Sequence, residues 1–129
     1  MAISANWKHA LDMLPFLAHC AKERRLITYK ELGELVGYPA FYLGSPLDVL
    51  RDEILRRHDL PRLDALVVNQ ETMQVGEMFY EGGRDNIDDE LFDDLLAGER
   101  EKVYAYDRWD EIVTNLHNMY GGPNYRRPV

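Results

Sequence analysis

The chain has 129 residues, 46% of them apolar, with 15 Lys/Arg against 23 Asp/Glu and a formal net charge of −8. That length allows one packed core and is short for two ordinary domains. The longest unbroken apolar run, "ALVV", has four residues and cannot span a bilayer, and no basic region leads into an apolar one at the N-terminus, so a soluble cytoplasmic chain without a targeting segment is expected.

The single cysteine, Cys20, excludes an internal disulfide and any Cys-rich zinc site, and it suits a small buried position on the first helix. Charge divides unevenly. Residues 1–69 carry nine cations and nine carboxylates, whereas residues 70–129 carry six and fourteen, so the whole surplus lies in the second half.

From Trp7 to Ala21, Trp7, Leu11, Leu14, Leu17 and Ala21 recur at helical spacing. Pro15 falls inside this pattern, where it removes one hydrogen bond at a cost of about 3 kcal/mol, so a kink or a helix start near Asp12 is expected. Thr28 and Glu31 form a capping box for a second helix with Leu32, Leu35 and Val36 inward, stopped by Gly37. After the Tyr38-Pro39 turn, "AFYLG" reads as one helical turn. Ser45-Pro46 then opens a third helix with Leu47, Leu50 and Ile54 inward, ended by Leu60-Pro61.

The period then changes. Leu63, Ala65 and Val67 alternate with Asp64, Leu66 and Val68, a polar turn ends in Gly76, and Met78 and Tyr80 share a face, together a β-hairpin. A loop of composition "EGGRDNIDDE" follows. Ile87, Leu91 and Leu95 predict a helix ended by Gly98, and Val103, Tyr106, Trp109, Val113, Leu116 and Tyr120 predict a longer one closed by Gly121-Gly122. The expected fold is α+β: a winged-helix-like, helix-turn-helix core with a β-hairpin and two additional C-terminal helices covering it. Residues 1–120 form a single domain, with 88–120 its helical extension and 121–129 a flexible tail.

The stretch "ITYKELGELVGYPAFYLGSPL" resembles the helix-turn-helix of alkylguanine-DNA alkyltransferases and their inert alkyltransferase-like relatives, with Thr28, Tyr29, Leu32, Gly37, Pro39, Leu43, Gly44 and Leu47 at comparable positions. "LPRLDALVVN" loosely echoes that family's Pro-Cys-His-Arg-Val-Val segment. The chain is also similar to small bacterial proteins with a "TYGELA...LG" and "LPPLTALVVN" pattern, so a bacterial or phage setting is expected. The resemblance covers residues 26–69 and implies a DNA-binding winged helix. It does not extend to catalysis: the Pro-Cys-His triplet is absent and Cys20 lies far upstream, so alkyl transfer is excluded. The recognition segment is about two residues shorter than the family's. The family's base-replacing Arg falls opposite Phe41 or Tyr42, whose flat rings can wedge between bases as well.

On that basis the DNA-contacting candidates are Tyr29, Lys30, Phe41, Tyr42, Arg51, Arg56 and Arg57. Each has an ordinary alternative: packing for Tyr29, core filling for one of the two aromatics, and a salt-bridged helix face for the arginines, among which Asp48, Asp52, Glu53 and Asp59 interleave. The rival reading is a protein contact. Asp88, Asp89, Glu90, Asp93 and Asp94 head an acidic run that imitates phosphate charge and would attract a basic, nucleic-acid-handling partner, unless it only aids solubility. His9, His19, His58 and His117 have no metal-ligand spacing, and no Gly-x-Ser-x-Gly or phosphate-cradling Gly-rich loop occurs. No enzymatic activity, metal, cofactor or membrane association is expected.

Overall fold

The computed structural model describes residues 5–76 and 88–121. Helices dominate: α1 (Ala5–Lys22), α2 (Tyr29–Val36), α3 (Gly44–Val49, continued by wider π turns over Leu50–Leu55), α4 (Asp89–Ala105) and α5 (Trp109–Leu116, continued by a π turn over His117–Gly121). Two short strands, β1 (Ile27–Thr28) and β2 (Val67–Val68), pair in parallel with Ile27 opposite Val67 and Thr28 opposite Val68. The class is α+β.

α1 is the central helix, in contact with α2, α3, α4 and α5. Its burial extends beyond a single stripe, taking in Ala10, Met13, Ala18 and Cys20 as well as Leu11, Leu14, Leu17 and Ala21. A helix packed on several sides loses the simple amphipathic period. It starts at Ala5 and continues through Pro15, so it does not begin near Asp12, and a contact from elsewhere in the chain helps it to continue. Proline cannot donate to the carbonyl four residues back, which is that of Leu11. The buried His117 supplies the missing donor: its Nε2 lies 2.7 Å from Leu11 O, so Nε2 carries the hydrogen.

α2 begins and ends as its sequence dictates. The Glu31 amide donates to Thr28 Oγ1 at 3.1 Å while the Thr28 amide donates to Glu31 Oε1 at 3.2 Å. Gly37 closes the helix in the left-handed region at φ 81°, donating to Gly33 O at 2.8 Å. Leu32 is buried as expected; Leu35 is half-exposed, and the other buried residue of the helix is Gly33. α3 starts at Gly44 with no side-chain cap, so Ser45 is not its cap and Pro46 lies buried within the first turn. Asp59, at φ 53°, ends that helical stretch, with the Leu60 amide returning to Leu55 O at 2.9 Å.

The expected hairpin is corrected in its first arm. Leu63–Leu66 is a 3-10 turn, only Val67 and Val68 are strand, and their partner is β1. Residues 63–68 are all buried; with neighbours on both sides, the run has no solvent face on which to alternate. Met78 and Tyr80, the loop at Gly82-Gly83, Ile87 and the tail beyond Gly121 lie outside the described residues.

The C-terminal boundaries also shift. α4 passes through Gly98 to Ala105, burying Phe92, Leu96 and Val103, while Leu91 and Leu95 face outward. The break comes at Tyr106–Arg108, where Trp109 folds back and its Nε1 donates to Val103 O at 3.0 Å. α5 then returns Trp109, Val113 and Leu116 to the core around α1. The first half of α4 builds a smaller cluster, Phe92 and Leu96 against Ala65, Val68 and Val75.

Candidate nucleic-acid interface

The turn between α2 and α3 is fixed from its inner side. Tyr38 donates to Asp12 Oδ2 at 2.8 Å, and its ring lies 3.7 Å from that of His9, tying the turn to α1. Burial, and then the Asp12 carboxylate, push the Tyr38 phenol up to about 12. Pro39 enters in extended geometry, and a 3-10 turn over Ala40–Tyr42 closes with Tyr42 N–H on Pro39 O at 2.9 Å and Leu43 N–H on Ala40 O at 3.1 Å. Leu43 is fully buried. With that anchor directed inward, the two preceding side chains are left in solvent: Phe41 is 82% exposed and Tyr42 60%. Their rings stack on each other at 4.7 Å and 30°.

The cations on the following helix are matched along their own chain. Arg51, its side chain only 17% exposed, donates Nε and Nη2 to the two oxygens of Asp52 at 2.8 Å and lies 3.4 Å from Asp48. The Arg51 hydrogen bond is the main reason the Asp52 carboxyl titrates below its ordinary range. Arg56 lies 3.6 Å from Asp52 and Arg57 3.0 Å from Glu53. These are i,i+4 pairs on an exposed face, worth a few tenths of a kcal/mol each, about 0.3–0.5. Lys30 projects from the first turn of α2 and makes no ion pair among the described residues.

Tyr29 is half-buried against the core, and its hydroxyl lies so close to Gly76 that a Cβ there would be 2.8 Å away. Burial pushes its phenol up, and Asp64 and Asp48 push in the same direction. Asp64 itself is buried and held by Arg62 Nε and Nη2 at 3.2 and 2.5 Å; desolvation raises its carboxyl, with Arg62 opposing. This local pair lies at the start of the 3-10 turn before β2 and was not anticipated from sequence, where Asp64 was one of the outward positions of a strand.

On α4, Asp88 is the N-cap, accepting from the amides of Glu90 and Leu91 at 3.0 and 3.3 Å. Asp89, Glu90, Asp93 and Asp94 are exposed, and negative charge at this end of a helix is favourable. Leu91 and Leu95, 52% and 42% exposed, lie among them. The fold thus brings Phe41 and Tyr42 together, sets Arg51, Arg56 and Arg57 among carboxylates, and leaves Tyr29 in the field of Asp48 and Asp64.

Cys20 is buried and its thiol is pushed up by that burial, the opposite of what a reactive thiolate needs. Among the described residues no group of three or more His, Cys, Asp or Glu side chains gathers as a metal site, and no helix is long and apolar enough to cross a membrane. Comparison with models of protein families, with curated proteins and with solved structures returned no match.

Proposed function

We propose that this chain is a non-catalytic, winged-helix-like binding module of the cytoplasm that engages nucleic acid, DNA in the first instance, through the tip between α2 and α3. The observation that carries the reading is the stacked Phe41–Tyr42 pair, held in solvent by the burial of Leu43 beside it. Fully burying a phenylalanine side chain is worth roughly 1.5–3 kcal/mol, so a sequence that keeps Phe41 exposed forgoes that gain. Further support comes from the parallel pair: it sets Ile27–Thr28 against Val67–Val68, joining the two stretches on which the alkyltransferase-like resemblance rests. The tip also occupies the position that the resemblance assigns to a base-replacing side chain.

The test is fluorescence anisotropy of labelled oligonucleotides at low ionic strength, with the double variant Phe41→Ala/Tyr42→Ala as comparison. Measurable affinity of the parent chain, lost in the variant, supports the reading. Absence of binding to both duplex and single strand refutes it.

A second reading rests on a different observation: Leu91 and Leu95 exposed among Asp88, Asp89, Glu90, Asp93 and Asp94. An apolar pair inside a ring of carboxylates fits a basic protein with a shallow apolar groove. Calorimetry with a Lys/Leu amphipathic helical peptide as probe checks it. Leu91→Ser/Leu95→Ser should weaken capture beyond the effect of added salt, and unchanged affinity removes this reading.

A further inference from the structure

We infer that the nucleic acid accepted at this tip is unpaired, either a single strand or a base out of its duplex, and that affinity comes from stacking far more than from phosphate charge. The inference rests on the reading of the tip as a nucleic-acid contact and narrows it to a substrate class.

Two independent features point this way. The first is electrostatic. Between residues 40 and 59 three arginines face four carboxylates, and each arginine has a carboxylate partner on its own helix within 3.6 Å. Duplex binding draws most of its affinity from cations that replace condensed counterions on phosphates. A guanidinium already shared with Asp48 and Asp52, as Arg51 is, must leave those partners before it can do so, and the carboxylates left behind repel the same phosphates.

The second feature is geometric. Phe41 and Tyr42 present rings to solvent, tilted only 30° from each other, on a turn closed by two backbone hydrogen bonds and anchored by the buried Leu43. A platform of exposed aromatic rings accepts the face of any nucleobase, but in an intact duplex those faces are already covered by neighbouring pairs. Opening a step to admit a wedge requires compensating contacts along the backbone, which the matched arginines do not offer. Unpaired bases meet the platform without that requirement.

The experiment compares a single-stranded 12-mer, its duplex and a duplex with an unpaired base, by anisotropy from 20 to 200 mM salt, for the parent chain, Phe41→Ala, Tyr42→Ala and Phe41→Trp. Both aromatics are exposed, and circular dichroism verifies that each variant keeps its fold. The single strand and the interrupted duplex should bind at least about tenfold more tightly than the intact duplex. Each alanine variant should lose about 5- to 150-fold, the range of one base stack, and Phe41→Trp should retain binding. The logarithmic salt slope should be no steeper than about −1.4, the value for two single-strand phosphates. Equal or tighter binding of intact duplex, a slope beyond about −3, or binding unmoved by the alanine variants overturns this inference while leaving nucleic-acid binding standing. No binding to any of the three probes overturns the function proposed for the tip and the inference with it.

Discussion

The contact between His117 and Leu11 makes the sharpest energetic prediction. Pro15 deprives the Leu11 carbonyl of its helical donor, and His117 Nε2 replaces that donor at 2.7 Å in the interior. Substituting His117→Ala removes the replacement and leaves a buried acceptor without it, a loss of about 1–3 kcal/mol. The vacated imidazole volume adds a cavity cost of about 1–2 kcal/mol, at the lower end for large-to-small core changes. The expected destabilisation is about 2–5 kcal/mol, a large part of the stability of a small domain. Pro15→Ala restores an amide within reach of the same carbonyl and also relieves the proline penalty. It should stabilise the chain by about 1–2 kcal/mol, less than the full proline cost because the carbonyl is already satisfied.

The decisive quantity is the coupling between the two sites. In the Pro15→Ala background, His117→Ala should cost about 1–2 kcal/mol less than in the parent, because Leu11 O keeps a donor. Urea unfolding followed by helical circular dichroism for the four chains of the cycle measures it. Costs that add to within about 0.5 kcal/mol would refute the idea that His117 replaces the donor Pro15 lacks.

Three further outcomes are expected. The Tyr38 phenol, raised to about 12, holds its proton above the unfolded value near 10. Its contribution is therefore complete below about pH 10 and is lost as pH rises toward 12; ultraviolet titration should find a late tyrosinate that Tyr38→Phe removes, and a uniform titration of all tyrosines would contradict this. Asp52 is lowered by Arg51, so its contribution is present above the unfolded value of about 3.9 and is lost as pH falls through the lower folded value. Asp52→Asn should cost no more than about 1 kcal/mol at neutral pH and should flatten the acid limb of the stability profile, and an unchanged limb would count against the pair. Gly33→Ala places a methyl 2.5 Å from Tyr38 O, a backbone atom that must move. A loss of about 1–3 kcal/mol is expected in thermal melts despite the gain in helix propensity of about 1 kcal/mol, and a stabilised variant would show that the contact is relaxed.

The parts of the fold legible in the sequence were those set by local chemistry. The Thr28–Glu31 box and Gly37 fix α2 through hydrogen bonds within a few residues, so the segment carries its own boundaries. Segments whose conformation depends on distant partners were misread. Leu63–Val68 alternates on paper, but α1 and β1 cover Leu63, Leu66 and Val67 while the first half of α4 covers Ala65 and Val68, so the run is buried throughout. Gly98 reads as a stop, yet a mid-helix glycine costs only about 1 kcal/mol, and Arg100, donating to Ala65 O at 3.0 Å, and the buried Val103 hold the helix beyond it. The Leu91/Leu95 face was displaced by one position because Phe92 and Leu96 take the interior. In the candidate site, the i,i+4 spacing of Asp52 with Arg56 and Glu53 with Arg57 already foretold matched charges. Which aromatic would fill the core had no local signal: Leu43 took that place, and both rings stayed outside.

The central claim, that Phe41 and Tyr42 form the contact surface, is tested most directly by Tyr42→Trp. Emission of the new indole, taken as the difference from the parent chain, should be quenched saturably by an unlabelled single-stranded 12-mer, with the same midpoint as anisotropy. Binding by anisotropy with no change in that emission, or no binding at all, would contradict the account.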